Sequence, residues 1–150
     1  MSNERRKSTR RGFGPRSRGR ELALKYLYAA DVAGLKTVED FDTFIVSQEE
    51  RGPAIPFART LVAGVLERKE EIDAVLGKLA SNWSLDRMAV VDRNILRLGS
   101  YEILFDDEIP EKATINEAVE LAKRFSTAQS GAFVNGILDQ VRRRDAREDS

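Results

Sequence analysis

The sequence predicts an all-α protein: two packed helical bundles sharing one core, about six to seven helices in all, preceded by a disordered basic arm. Three observations predict it. Apolar residues recur at three- and four-residue spacings after Arg18, and no stretch competes with the two-residue alternation of a strand. Pro15, Pro53, Pro56 and Pro110 all fall between helical runs or at their starts, where proline is tolerated. The chain has 150 residues, 41% of them hydrophobic. That fits one domain able to bury about 70% of its unfolded surface.

The elements follow in order. Residues 1–17 form an Arg-rich arm with almost no apolar content, which like-charge repulsion keeps disordered until it is bound. Leu24, Leu27, Tyr28 and Asp31 share one face of a first helix that Gly34 stops. Thr37 and Asp40 make an approximate capping box ahead of Phe41, Phe44 and Ile45, and Arg51-Gly52-Pro53 breaks that run. Phe57, Leu61, Val65, Ile72, Leu76 and Leu79 then define a long amphipathic helix with charged residues 67–71 on its outer side. Ser81-Asn82-Trp83-Ser84 interrupts, and a short turn leads into Val91, Ile95, Leu98 and Leu104, a helix ending near Asp106-Asp107. Thr114-Ile115-Asn116-Glu117 reads as a full capping box for the next helix, whose stripe is Ile115, Ala118, Val119 and Ala122. Phe133, Val134, Ile137, Leu138 and Val141 repeat that geometry in a last helix, with Arg142-Arg143-Arg144 where the helix dipole favours cations. Residues 144–150 are expected to fray. Gly64, Gly99 and Gly136 each sit inside a helix at a cost of about 1 kcal/mol relative to Ala, which predicts close helix crossings at all three.

Composition removes most enzyme classes. The chain has no Cys and no His, so thiolate metal sites, iron–sulfur clusters, histidine zinc sites and His-based triads are excluded. Paired carboxylates such as Glu70-Glu71, Asp106-Asp107-Glu108 and Glu117 with Glu120 lie on polar faces or loops, where solvated charge explains them. No phosphate-binding glycine motif or nucleophile elbow occurs. No enzyme activity, metal or cofactor is therefore expected. No apolar run reaches the ~18 residues of a membrane span, and the Arg-rich start lacks the apolar region of a secretory signal, so a cytoplasmic protein is expected.

Charge points to a polyanion. The formal net charge is +0, yet residues 1–20 hold eight basic side chains against Glu4, a net of +7, which leaves −7 on the remaining 130 residues. An acidic body with a basic arm suits nucleic acid, although a solubilising or targeting tail has a similar composition. A second signal lies near the C-terminus. Lys123, Arg124 and Phe125 end one helix, Ser126-Thr127-Ala128-Gln129-Ser130 reads as a polar loop, and Phe133 with Asn135 opens the next helix. Single-stranded RNA needs this combination of stacking faces, amides, hydroxyls and cations. Spacing alone leaves open whether Phe125, Phe133 and Tyr28 stack on bases or fill the core.

Several segments carry a family resemblance. Asp92-Arg93-Asn94-Ile95-Leu96-Arg97-Leu98-Gly99-Ser100-Tyr101-Glu102-Ile103-Leu104, Ile109-Pro110, Ile115-Asn116-Glu117-Ala118-Val119-Glu120-Leu121-Ala122-Lys123 and Phe133-Val134-Asn135-Gly136-Ile137-Leu138-Asp139 resemble, in order and spacing, the NusB family of bacterial transcription antitermination factors. Arg20-Glu21-Leu22-Ala23-Leu24-Lys25-Tyr26-Leu27-Tyr28 is similar to that family's first helix, and the likeness spans residues 18–143. The resemblance implies binding to boxA-like single-stranded RNA of ribosomal RNA leaders, together with a NusE-type ribosomal protein, within an antitermination complex on RNA polymerase. It implies an RNA surface of Arg16, Arg18, Arg20, Tyr28, Phe125, Gln129, Ser130 and Phe133, to which the residue pattern adds Lys123 and Asn135. It places the protein partner near Asp86, Asp92 and Tyr101. The chain departs from some family members at Gly131-Ala132, where they carry Lys before the Phe, and at Gln129, acidic in others. The same fold also precedes rRNA cytosine methyltransferase domains, for which 150 residues leave no room. A protein-only adaptor or a helical DNA binder is the competing class, and a monomer and a homodimer that hides its RNA face are both compatible with the sequence.

Overall fold

A computed structural model describes residues 14–80 and 84–149, with side chains described up to residue 146; most of the expected arm and Ser81-Asn82-Trp83 lie outside those residues. The described residues form six α-helices and one 3-10 turn, with no strand among them. They are α1 (Pro15–Ala33), α2 (Val38–Ser47), α3 (Ala54–Leu79), the turn Leu85–Arg87, α4 (Val90–Phe105), α5 (Glu111–Phe125) and α6 (Ala128–Asp149). The chain divides into two compact units, Met1–Ala63 and Gly64–Ser150, with α3 continuing from the first into the second.

In the first unit, Pro15 occupies the opening position of α1, where its fixed φ suits the helix and its missing N–H costs nothing. The helix therefore begins inside the stretch expected to be arm. Gly34 ends it with φ 78°, a left-handed conformation that admits glycine readily, and its N–H bonds the Ala30 carbonyl. Thr37 caps α2 as the sequence predicts, its Oγ1 accepting from the Asp40 N–H at 3.2 Å. The core of this unit includes Leu22, Ala23, Tyr26, Leu27, Phe41, Ile45, Ala58, Leu61 and Val62, all buried. Tyr26 joins α1 to α2. Its ring meets Phe41 edge-on at 5.4 Å and Phe44 at 5.5 Å, and its hydroxyl donates to the Thr37 carbonyl at 3.0 Å. Tyr28, placed by spacing on the face of Leu24 and Leu27, is instead 44% exposed while both leucines are buried. Successive residues turn by about 100°, so a position next to a buried one can leave the core.

In the second unit α4, α5 and α6 pack against one another. Two of the three helix glycines mark close crossings. A Cβ on Gly64 would run into the Tyr101 ring of α4, and one on Gly99 would lie 2.6 Å from Leu138 Cδ1 of α6. Gly136 contradicts the expectation, because a Cβ there meets nothing within 4 Å. Arg97 holds Asp73 through a two-pronged pair at 2.8 and 3.1 Å, which ties α4 to α3. The predicted capping box at Thr114 does not form. The helix α5 starts earlier, at Glu111 after Pro110, and Thr114 lies buried in its first turn with its hydroxyl donated to Glu102 Oε1 at 3.0 Å. A buried carboxylate 12 residues away outcompetes the local backbone for that hydroxyl. At the other end, α6 runs to Asp149 through residues expected to fray.

Candidate nucleic-acid interface

The candidate site residues fall into two groups, one in each unit. In the first, the N-terminal end of α1 carries Arg16, Arg18 and Arg20 and has no acidic residue in its first turn. Cations there oppose the helix dipole, so the arrangement disfavours the bare helix and favours an anion beside it. The three arginines differ sharply. Arg16 is exposed, with its guanidinium 5.8 Å from the Phe57 ring centre. Arg20 is 5% exposed, and its guanidinium sits 5.5 Å from the same ring. Gly19 makes room for that ring, since a Cβ there would come within 2.7 Å of Phe57 Cδ2. Arg18 spans two carboxylates: its Nη2 donates to Glu50 Oε1 and Oε2 at 2.8 and 2.7 Å, and its Nη1 to Glu21 Oε2 at 2.6 Å. Burial alone would lower the Arg18 pKa, but the bonds and charges of Glu50 and Glu21 outweigh it and hold the guanidinium above its ordinary value. Of the three, Arg16 presents its charge to solvent most directly. Tyr28 is exposed further along the same helix.

In the second unit the group lies where α5 gives way to α6. Lys123 and Arg124 are exposed, and the Arg124 guanidinium stacks 4.9 Å above Phe125, itself 37% exposed. The connection is only Ser126-Thr127. The expected five-residue polar loop is shorter because Ala128, Gln129 and Ser130 already belong to α6. Thr127 ends it as a cap, its Oγ1 accepting from the Ser130 N–H at 3.1 Å. Gln129 and Asn135 are exposed and Phe133 is half-buried. Gly131 lets the Lys123 stem lie close, with Lys123 Cγ 3.3 Å from where a Cβ would stand. Ser130 is buried, and its hydroxyl donates to Asp92 Oδ2 of α4 at 2.9 Å.

The residues expected to meet a protein partner are all in the second unit. Asp86 is exposed on the 3-10 turn. Tyr101 lies over Gly64 and beside Phe105, ring centres 5.8 Å apart, and burial raises its hydroxyl pKa. Asp92, assigned with them, accepts a hydrogen bond from Ser130 of the RNA group. Sequence reasoning missed Phe57, which organises Arg16 and Arg20, and the capping role of Thr127. The Thr-x-x-Ser spacing of residues 127 to 130 carried the second signal, whereas nothing in the sequence pairs Phe57 with arginines some forty positions earlier.

A chain whose described residues are helical and that sets the exposed Arg124–Phe125 pair beside hydroxyls and amides has the features of a helical nucleic-acid-binding protein. Comparison narrows the class. The sequence profile of the NusB family matches residues 17–143, and the chain belongs to that family. It is 47% identical to the transcription antitermination protein NusB of Myxococcus xanthus over 133 residues, covering 86% of this chain and 95% of that one. It is likewise 47% identical to that of Geobacter sulfurreducens, covering 86% and 94%. Among solved structures, NusB of T. maritima superposes with a TM-score of 0.78 at 39% identity, covering 87% of this chain and 92% of that one. A structure of the antitermination factors NusB and NusE in complex with dsRNA matches with a TM-score of 0.77 at 30% identity, covering 86% and 96%.

Proposed function

We propose that this chain is a cytoplasmic, non-enzymatic antitermination factor that binds boxA-like single-stranded RNA of ribosomal RNA leaders together with a NusE-type ribosomal protein and acts on elongating RNA polymerase. The observation that carries the reading is the Arg124–Phe125 stack beside the Ser126-Thr127 turn and the exposed Gln129. An exposed ring backed by a guanidinium is a platform for an unstacked base, the nearby hydroxyls and amide can meet base edges, and Lys123 can meet phosphate. Arg16, Tyr28, Phe133 and Asn135 add cationic, aromatic and amide contacts. Arg18 and Arg20 act differently: the first meets phosphate in competition with Glu50 and Glu21, and the second supports the Phe57 ring. Exposed Asp86 suits a basic ribosomal protein, and Asp92 and Tyr101 of the same unit are assigned to that partner with it. No helix among the described residues is long and apolar enough to cross a membrane.

The solved relative described with NusE carries double-stranded RNA, so strandedness belongs in the test. Titrating labelled boxA-like RNA, a scrambled single strand, the same sequence as duplex and duplex DNA, each with and without the NusE-type protein, should give preferential binding of the boxA-like single strand, strengthened by the protein. Equal affinity for all four nucleic acids would refute the reading in favour of a general polyanion binder or an adaptor.

A further inference from the structure

We propose that Asp92 is a positioning residue for the Ser126-Thr127 turn: acting through Ser130, it fixes the direction of the turn's hydroxyl protons and makes the two hydroxyls acceptors of hydrogen bonds from nucleobase N–H groups. The inference rests on the RNA-binding reading above. It follows from counting protons. Ser130 Oγ carries one hydrogen, and that hydrogen goes to Asp92 Oδ2 at 2.9 Å. Ser126 Oγ lies 2.9 Å and Thr127 Oγ1 3.0 Å from the same Ser130 Oγ. With its own proton committed, Ser130 Oγ can only accept, so both neighbouring hydroxyls donate inward to it and fill its two lone pairs.

The outward consequence concerns the turn. Thr127 Oγ1 spends one lone pair on the Ser130 N–H at 3.1 Å and keeps the other, while Ser126 Oγ keeps both. Ser126 is half-buried and Thr127 exposed, so these lone pairs are what the turn's two hydroxyls offer a ligand. A phosphate oxygen also offers lone pairs alone and cannot bond to them. A base amino or imino group can, and so can a ribose 2′-hydroxyl. The other oxygen of the carboxylate, Oδ1, is buried and has no hydrogen-bond partner among the described residues. A buried acceptor left unsatisfied is uncommon and calls for a functional reason. Asp92 thus sorts the side-chain chemistries of the second group, leaving phosphate to Lys123 and Arg124 and base donors to the two hydroxyls of the turn.

The experiment is a double-mutant cycle on the full chain, with boxA-like RNA and no protein partner, at a temperature below every variant's thermal midpoint. Its single variants are Asp92→Ala and Ser130→Ala; the second, a small truncation that keeps the fold if the first does not, reads the relay from its other end. Each single substitution should weaken RNA binding by about three- to tenfold, the range of one net hydrogen bond, with Asp92→Ala at the lower end because it also removes a negative charge. The double variant should be no weaker than either single one, and the slope of log affinity against log salt should match wild type because no phosphate contact is lost. Unchanged affinity in Asp92→Ala or Ser130→Ala, with only a lowered midpoint, would assign the network to stability and overturn the inference. Additive losses, or a shallower salt slope, would overturn it as well. A wild-type chain that does not prefer boxA-like RNA overturns the functional reading and this inference together, whereas wild-type preference with unaffected variants overturns this inference alone.

Discussion

Replacing Glu50 with glutamine should weaken the fold and strengthen RNA binding at once. In the unbound chain Glu50 occupies Arg18 as a phosphate would, two oxygens on one nitrogen at 2.8 and 2.7 Å. The pair is partly accessible, with side-chain exposures of 32% and 24%. Its worth is therefore modest, about 1 kcal/mol, toward the upper end for partly exposed pairs. Glutamine keeps the size and one acceptor but removes the charge, so the stability of the chain should fall by about that amount in urea unfolding. The same energy no longer opposes transfer of Arg18 to a phosphate, which corresponds to an affinity gain of up to about fivefold. Fluorescence anisotropy of labelled RNA at fixed salt reads this gain. Removing any nearby negative charge would also help a polyanion, and exposed Glu49, next in sequence, supplies the control: Glu49→Gln should give a smaller increase and no loss of stability. Equal gains from the two substitutions, or no gain from Glu50→Gln, would show that Arg18 stays with its carboxylates when RNA binds.

Three further outcomes follow from the packing of individual side chains. Phe133→Ala should cost about 1–3 kcal/mol of RNA affinity as a lost stacking face, and less folding stability than the ~3–5 kcal/mol of a fully buried Phe; thermal midpoint and affinity measured on one preparation decide it, and retained affinity below a lowered midpoint refutes the stacking role. Gly99→Ala forces a methyl to within 2.6 Å of a Leu138 side chain that is fully buried, whereas at Gly136 the added methyl meets nothing. Urea unfolding should show the first destabilised by about 1–3 kcal/mol and the second stabilised by up to about 1 kcal/mol, and equal signs would contradict the packing. Burial, with Asp40 adding to it, pushes the Tyr26 hydroxyl from 10.0 up to about 12. Because the folded value lies above the unfolded one, its stabilising effect is whole below pH 10 and lost as pH rises toward 12. Tyr26→Phe should flatten that part of the alkaline stability profile, and an unchanged profile would assign it elsewhere.

The amino-acid sequence by itself determined the class of fold and most helix limits. Amphipathic spacing and the prolines set the long α3, the end of α4 at Phe105 and the buried stripe of Val134, Ile137, Leu138 and Val141. These are local properties: a residue's helical phase and a proline's missing N–H act within one or two turns. It also brought together Lys123, Arg124, Phe125 and Gln129, the mix on which the proposed nucleic-acid surface rests. Tertiary structure decided which of those groups are available. It buried Arg20 beside Phe57, engaged Arg18 with Glu50, and left Arg16 exposed, three fates for arginines two positions apart. It took Thr114 from a cap to a buried partner of Glu102 and joined Ser130 to Asp92, 38 residues earlier. Hydroxyls and guanidiniums bond with whatever the fold brings within about 3 Å, and partners at that separation in the chain leave no periodic trace, so the roles of polar side chains were settled only when the helices packed.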